Sequence, residues 1–173
     1  SFSRMKEVII HELNHIYLHR IPGHFTFPSW FLEGMAMKSA HEFSLLHKIE
    51  ISKAHWQDQI IPLNGLKHIS RFKRGKVKRG YAESAAAIEA LVYYYGDDVP
   101  VSVLTAMRNG KEFPEALEVA IGEEMIEFQI KFEIYLEENF NLLIFLKASK
   151  YIFVILPVIL VGGFIYKKYK NKE

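Results

Sequence analysis

The stretch VIIHELNHIYLHR, residues 8–20, carries two histidines four residues apart with a glutamate between them. Its apolar residues recur at spacings of three and four, which is the periodicity of an amphipathic helix. Side chains four residues apart lie on one helix face, so His11 and His15 can direct their imidazoles at one point. Glu12 would project beside that point. The stretch therefore predicts either a metal site or a histidine-rich helix surface.

Zinc is the metal that this pattern fits best. Neutral imidazole is a good zinc ligand, and a catalytic zinc site needs three protein ligands, with water in the fourth position. The chain contains no cysteine, so disulfides are excluded and any metal must be held by histidine and carboxylate. Because HExxH matches also arise by chance, a third ligand has to be found before the zinc hypothesis is favoured.

A candidate third ligand lies in the stretch FPSWFLEGMA, residues 27–36. Glu33 follows His15 by 18 residues, on a second predicted helix that begins near Ser29. A helix, a short loop and a returning helix can bring this carboxylate back to the histidine face. The spacing therefore favours a metal site over a histidine-rich surface.

Helices dominate the rest of the chain, since alternating strand patterns bounded by turn residues are scarce. Glycine and proline separate six predicted helices. These cover residues 3–20, 29–49, 81–95, 100–108, 114–121 and 123–145, and residues 50–80 are the least regular part. Half of the 173 residues are hydrophobic, which is enough for one core. We therefore expect one mainly α domain over residues 1–146.

The stretch RFKRGKVKR, residues 71–79, holds six positive charges in nine residues. We expect Gly75 to break any helix there, which favours a solvated loop; a face for anionic lipid or an acidic partner is the alternative. The formal net charge of the whole chain is only +2. Because stacking aromatics other than Phe72 are missing from the stretch, no nucleic-acid partner is expected.

The stretch YIFVILPVILVGGFIY, residues 151–166, is uncharged and has lysines on both sides. Together with residues 148–150 it approaches the length of a membrane-spanning helix. We therefore expect residues 147–173 to form one transmembrane helix with a basic tail, which contacts the membrane through residues 148–166. The excess of lysines after the span predicts a single-pass protein with a cytoplasmic tail and an extracytoplasmic domain.

The pairing of HELNH, residues 11–15, with WFLEGMA, residues 30–36, resembles the gluzincin zinc metallopeptidases of the peptidase-MA-like type. Residues 81–96 and 103–122 are similar to the downstream helices of that branch. The resemblance implies a zincin-like helical catalytic domain over residues 1–146. It also implies a Zn²⁺ ion bound by His11, His15 and Glu33, with Glu12 as the general base. Gluzincins usually have a substrate-binding sheet upstream, and because the chain starts at Ser1 rather than Met we expect that sheet to be missing here.

Two further features bear on the resemblance. In the thermolysin-type pattern an aspartate four residues after the glutamate ligand orients a histidine, but this chain has Met37 there. That role is either unfilled or taken by another residue. Tyr81 is a candidate to donate a hydrogen bond to the oxyanion, as tyrosines do in related enzymes; the alternative is a half-buried tyrosine at the start of a helix.

The sequence thus predicts a membrane-anchored zinc endopeptidase that acts on a peptide or protein substrate. No exopeptidase motif precedes the site. Three alternatives remain: a non-catalytic zinc-binding domain, a membrane-tethered interaction module that uses acidic helices 114–138, and an intramembrane metalloprotease. The last is less well supported, because charged residues flank the histidine motif.

Overall fold

A computed structural model describes residues 2–20, 26–141, 157–160 and 167. The chain divides into two units, residues 1–140 and 141–173. The described part of the first unit is helical and contains no strand, which confirms the expected mainly α class. Its elements are α1 (Phe2–His19), α2 (Ser29–Ser39), α3 (Leu45–Trp56), a 3-10 helix (Gly65–Arg71), α4 (Arg74–Tyr95), α5 (Val99–Arg108), α6 (Phe113–Ile121) and α7 (Met125–Phe140).

Helices α2 and α4 form the centre of this unit. Helix α2 packs against α1, the 3-10 helix and α4, while α4 also contacts α3, α5 and α7. From Ala82 to Leu91 every residue of α4 except Glu89 is buried, and many of them are alanines, so neighbouring helices can approach closely. The larger buried side chains around this pair of helices are Trp30, Phe31, Ile51, Leu63, Ile88, Leu91, Met107, Phe128 and Phe132.

Gly34 is the point of closest approach between α2 and α4. A Cβ atom added there would lie 2.4 Å from the carbonyl oxygen of Ser84 and 2.5 Å from a side-chain carbon of Ile88. Real Cβ contacts of this length do not occur, because atoms in a packed interior resist overlap. Glycine at this position therefore fixes how deeply α2, which carries Glu33, sits on the core.

The single helix predicted over residues 29–49 is wrong, because two helices cover this range. Helix α2 ends in a Schellman motif: the Glu42 N–H donates to the Met37 carbonyl at 2.9 Å, and the His41 N–H donates to the Lys38 carbonyl at 3.2 Å. His41 has a φ of 55°, the left-handed conformation that such a cap requires and that glycine usually supplies. The chain therefore turns at residues 40–44 before α3 begins at Leu45.

The loop predicted around the basic stretch 71–79 is also wrong for most of its length. Helix α4 starts at Arg74 and runs through Gly75 without interruption. A glycine costs a helix only about 1 kcal/mol relative to alanine. The buried contacts of the rest of α4 offset that cost, because tertiary packing supplies most of the stability of helices in proteins.

Helix α1 turns its histidine-bearing face, not its most apolar face, toward α2. His11, Asn14 and His15 are half-buried on that side, and Leu18 is fully buried. Seven large hydrophobic residues elsewhere on α1 are exposed by 49% or more of their area in the described structure. These residues, called the α1 apolar face below, are Phe2, Met5, Val8, Ile9, Leu13, Ile16 and Tyr17.

The predicted membrane helix falls almost entirely outside the described residues, since only 157–160 of the range 148–166 are described. None of the helices in the described ranges combines the length and the apolar composition needed to cross a bilayer. On that finding, the predicted single-pass placement with an extracytoplasmic domain and a cytoplasmic tail is wrong.

Candidate metal centre

Three potential metal ligands converge where α1 crosses α2. The Nε2 atoms of His11 and His15 are 3.1 Å apart. The Oε2 atom of Glu33 lies 3.5 Å from each of these nitrogens. Among the described residues, these three form the group of histidine and carboxylate side chains that could hold a metal ion. We call this group the triad.

The spacing within the triad matches a tetrahedral zinc site. Ligand atoms about 2.0–2.2 Å from a tetrahedral ion lie roughly 3.3–3.6 Å from one another. A triangle with edges of 3.1, 3.5 and 3.5 Å has a point about 2 Å from all three corners. A zinc ion close to that point would have normal bond lengths to all three atoms. The triad therefore fits zinc without rearrangement of the backbone.

The position of the proton on the His11 ring also favours a cation in the triad. Its Nδ1 atom lies 3.0 Å from Oε2 of Glu42, and a carboxylate only accepts, so this nitrogen carries the proton of the ring. In the neutral ring, Nε2 then presents a lone pair to another imidazole nitrogen and to a carboxylate oxygen. Nε2 of His15 lies 3.1 Å from this nitrogen and Oε2 of Glu33 lies 3.5 Å from both, so a cation or a proton placed between the three atoms would interact with all of them.

Glu42 takes the orienting role that the sequence left open at Met37. Metal-bound histidines usually donate their second ring N–H to a carboxylate or carbonyl, which fixes the ring and makes it a stronger ligand. Met37 itself is buried in the core and lines a pocket wall. Glu42 was missed because it follows the end of α2, where a continuous helix was predicted.

A side-chain hydrogen bond joins α1 to α2. The Asn14 amide nitrogen donates to Oγ of Ser39 at 2.9 Å. Leu18, one turn further along, is 1% exposed. Glu33 is adjacent to Gly34, so the close packing of α2 on α4 also determines where the Glu33 carboxylate lies relative to the two histidines.

The other two predicted site residues, Glu12 and Tyr81, lie within electrostatic reach of Glu33 in the triad. The side chain of Glu12 is exposed, while Tyr81 on α4 is half-buried. Burial raises the pKa of Tyr81, and the charges of Glu33 and Glu12 raise it further. Burial also raises the pKa of the Glu33 carboxyl, whereas the neighbouring His15 and His11 lower it. The structure thus brings Glu12, Glu33 and Tyr81 within electrostatic reach of one another.

A pocket of about 230 Å³ opens beside the triad. We call it the Lys78 pocket, and its walls are His11, Met37, Glu42, His47, Lys78 and Tyr81. Lys78 was part of the basic stretch for which a loop was predicted, so the sequence offered no reason to place it near the histidines. If the predicted helix had started before Lys78, the spacing of three residues between Lys78 and Tyr81 would have indicated that both lie on one helix face.

Comparison with known proteins found no match for the chain, whether against family models, curated proteins or solved structures.

Proposed function

We propose that this chain is a zinc-dependent metallopeptidase that hydrolyses peptide bonds. The observation that carries the proposal is the triad, in which two imidazole nitrogens and a carboxylate oxygen are 3.1–3.5 Å apart. The donor set of two histidines and one glutamate is that of catalytic zinc sites which keep a position open for water. When bound there, zinc supplies Lewis-acid activation of water and polarisation of a carbonyl oxygen.

The residues around the triad have separate roles in this proposal. Glu12 is the general base that takes a proton from water, and its exposed carboxylate can reach solvent and substrate alike. Tyr81 keeps its proton because burial raises its pKa, so the phenol can donate a hydrogen bond to the oxyanion that forms. Glu42 holds the His11 ring through the 3.0 Å hydrogen bond and is a positioning residue.

Glu12 also distinguishes the peptidase proposal from a structural zinc site. A structural site is closed by four protein ligands, whereas a catalytic site has three and a polar group that handles protons beside the open position. Within the described residues the triad offers three ligands, and the charge of Glu12 acts on both Glu33 and Tyr81. This arrangement favours catalysis over a non-catalytic zinc-binding domain.

The test combines metal content with cleavage. Purified protein is analysed by inductively coupled plasma mass spectrometry, and cleavage of a mixture of unstructured peptides is followed by mass spectrometry. We expect about one zinc per chain in the parent protein and a large loss in His15→Ala and Glu33→Ala. Glu12→Gln should keep zinc but lose cleavage by about 100-fold or more. His19→Ala, which removes an exposed histidine of the same helix, is the matched control.

Each part of the proposal has an outcome that contradicts it. If Glu33→Ala binds zinc as tightly as the parent, the ligand set is wrong. If Glu12→Gln retains full cleavage with zinc bound, the role of Glu12 as base is wrong. A parent protein that holds zinc and cleaves none of the peptides is a non-catalytic zinc-binding domain.

A further inference from the structure

The Lys78 pocket adjoins the triad through His11, whose ring contributes to both. Its volume of about 230 Å³ is below the roughly 300–1,000 Å³ of pockets that enclose a whole small ligand. A space of this size beside a peptidase centre suits a single side chain or a chain end. Four larger pockets, of about 280, 380, 490 and 620 Å³, have none of the triad residues in their walls.

Lys78 gives the pocket a positive charge. Its Nζ lies 3.9 Å from Oε2 of Glu50, which is a long ion pair, and its side chain is 60% exposed. Burial lowers the pKa of His47, and the charge of Lys78 lowers it further. The ammonium is therefore close enough to the His47 imidazole, which also lines the pocket, to act on it electrostatically.

The carboxylate in the pocket wall is already engaged. Glu42 accepts the hydrogen bond from Nδ1 of His11 through Oε2, so this oxygen is occupied, although the charge of Glu42 also acts on His47 in the same wall. Lys78 and Tyr81 lie three residues apart on α4, which puts them on one helix face. A group that enters the pocket would meet an ammonium and a phenol hydroxyl together.

We propose that the Lys78 pocket binds a carboxylate of the substrate, and that Lys78 is the residue which determines this specificity. This inference rests on the proposed peptidase function. The carboxylate can belong to an aspartate or glutamate side chain next to the bond that is cleaved, or to the C-terminus of the substrate. Both present the same charge and geometry to Lys78. The lysine ammonium is a compact point charge and would attract either of them.

The experiment measures peptide binding, which does not require turnover. Glu12→Gln protein, with and without added zinc, is titrated with blocked pentapeptides that carry a central glutamate, glutamine or lysine. A second pair of alanine peptides differs in having a free or an amidated C-terminus. We expect about fivefold tighter binding of the carboxylate-bearing member of one pair, the size expected for a partly exposed ion pair. The pair that shows the preference identifies the source of the carboxylate.

Substitution of Lys78 links the preference to the pocket. Lys78→Met in the same background should abolish the preference, and Lys78→Glu should reverse it in favour of the lysine peptide. Lys53→Met, which removes an exposed lysine of α3 outside the pocket wall, should leave the preference unchanged. Equal binding of all the peptides, absence of binding, or a preference that survives Lys78→Met would overturn the inference.

The outcome is separable from that of the proposed function. A chain that holds no zinc or cleaves no peptide fails as a metallopeptidase, yet the dependence of carboxylate binding on Lys78 is still measured with the zinc-free protein. Conversely, if the protein is an active peptidase but its affinity for peptides does not depend on their charge, the proposed function stands and the proposed specificity is wrong.

Discussion

Glu42 and His11 are 31 residues apart in sequence, yet Oε2 of the glutamate accepts a hydrogen bond from Nδ1 of the histidine at 3.0 Å. The contact depends on the Schellman turn that ends α2, because His41 in its left-handed conformation redirects the chain. The turn between α2 and α3 thus supplies the hydrogen-bond partner of His11, a candidate ligand on α1. The orientation of His11 is therefore linked to how α2 ends.

Loss of the Glu42 carboxylate should weaken zinc binding without unfolding the chain. Partners of this kind typically contribute 10- to 100-fold to metal affinity, so we expect Glu42→Gln to raise the zinc dissociation constant by about that factor. Competition with a chromophoric chelator measures the change. Glu118→Gln, which removes an exposed carboxylate of α6, is the control. An unchanged affinity in Glu42→Gln would mean that the hydrogen bond does not tune the site.

Two glycine substitutions should have opposite effects on stability. Gly34→Ala would place a Cβ atom 2.4 Å from the Ser84 carbonyl oxygen, so α2 must shift, and we expect a loss of about 1–3 kcal/mol, the usual range for overpacking. Gly75→Ala meets nothing within 4 Å and should stabilise helix α4 by up to about 0.5 kcal/mol, less than in a helix interior because residue 75 lies in the first turn. Urea unfolding of the zinc-free proteins gives both values.

Zinc affinity adds a second measurement to the glycine pair. Because Gly34 adjoins Glu33, the alanine variant should also bind zinc more weakly, whereas Gly75→Ala should bind it normally. A Gly34→Ala protein as stable as the parent would show that the two helices can separate at little cost.

The buried Glu83 should make stability fall as pH rises. Its Oε2 accepts the Ile61 N–H at 3.1 Å, and burial raises the pKa of the carboxyl to about 8. Between about pH 4.5 and pH 8 the unfolded chain releases this proton while the folded chain keeps it, so unfolding becomes easier with each pH unit. The stabilisation is complete below about pH 4.5 and is lost as pH approaches 8.

The measurement compares Glu83→Gln with the parent by urea unfolding at pH 5.5 and 7.5. One carboxyl can change the free energy of unfolding by at most about 1.4 kcal/mol per pH unit. We expect the parent to lose stability relative to Glu83→Gln over this interval, because the amide keeps the acceptor for Ile61 but has no proton to lose. A constant difference between the two proteins at both pH values would contradict the raised pKa.

Local pattern was sufficient to predict α1 and the common face of its two candidate ligands, His11 and His15. Histidines four residues apart must share a face if the stretch is helical, and the apolar spacing indicated a helix from 3 to 20, close to the observed Phe2–His19. Glu33 was harder, because its approach depends on the path between α1 and α2. The structure does bring it to the two histidines.

The placement of Glu42 and Lys78 near the triad depends on features that the local sequence pattern does not show. The end of α2 lacks the glycine that usually marks such a cap, since His41 adopts the left-handed conformation instead. Helix α4 begins seven residues before the predicted Tyr81, at Arg74, because tertiary contacts of its buried half outweigh the local effect of Gly75. One error concerns where a helix ends and the other where a helix begins, and both residues lie beside the triad.

The one-sided packing of α1 has a consequence for how tightly the site can hold an ion. Two of the three triad atoms belong to a helix that, in the described structure, is anchored mainly through α2, while its apolar face remains exposed. A helix held in this way can detach as a local unit at a lower free energy than the whole domain. An ion between His11, His15 and Glu33 would therefore act as a cross-link, and part of its binding free energy would be spent on keeping α1 docked.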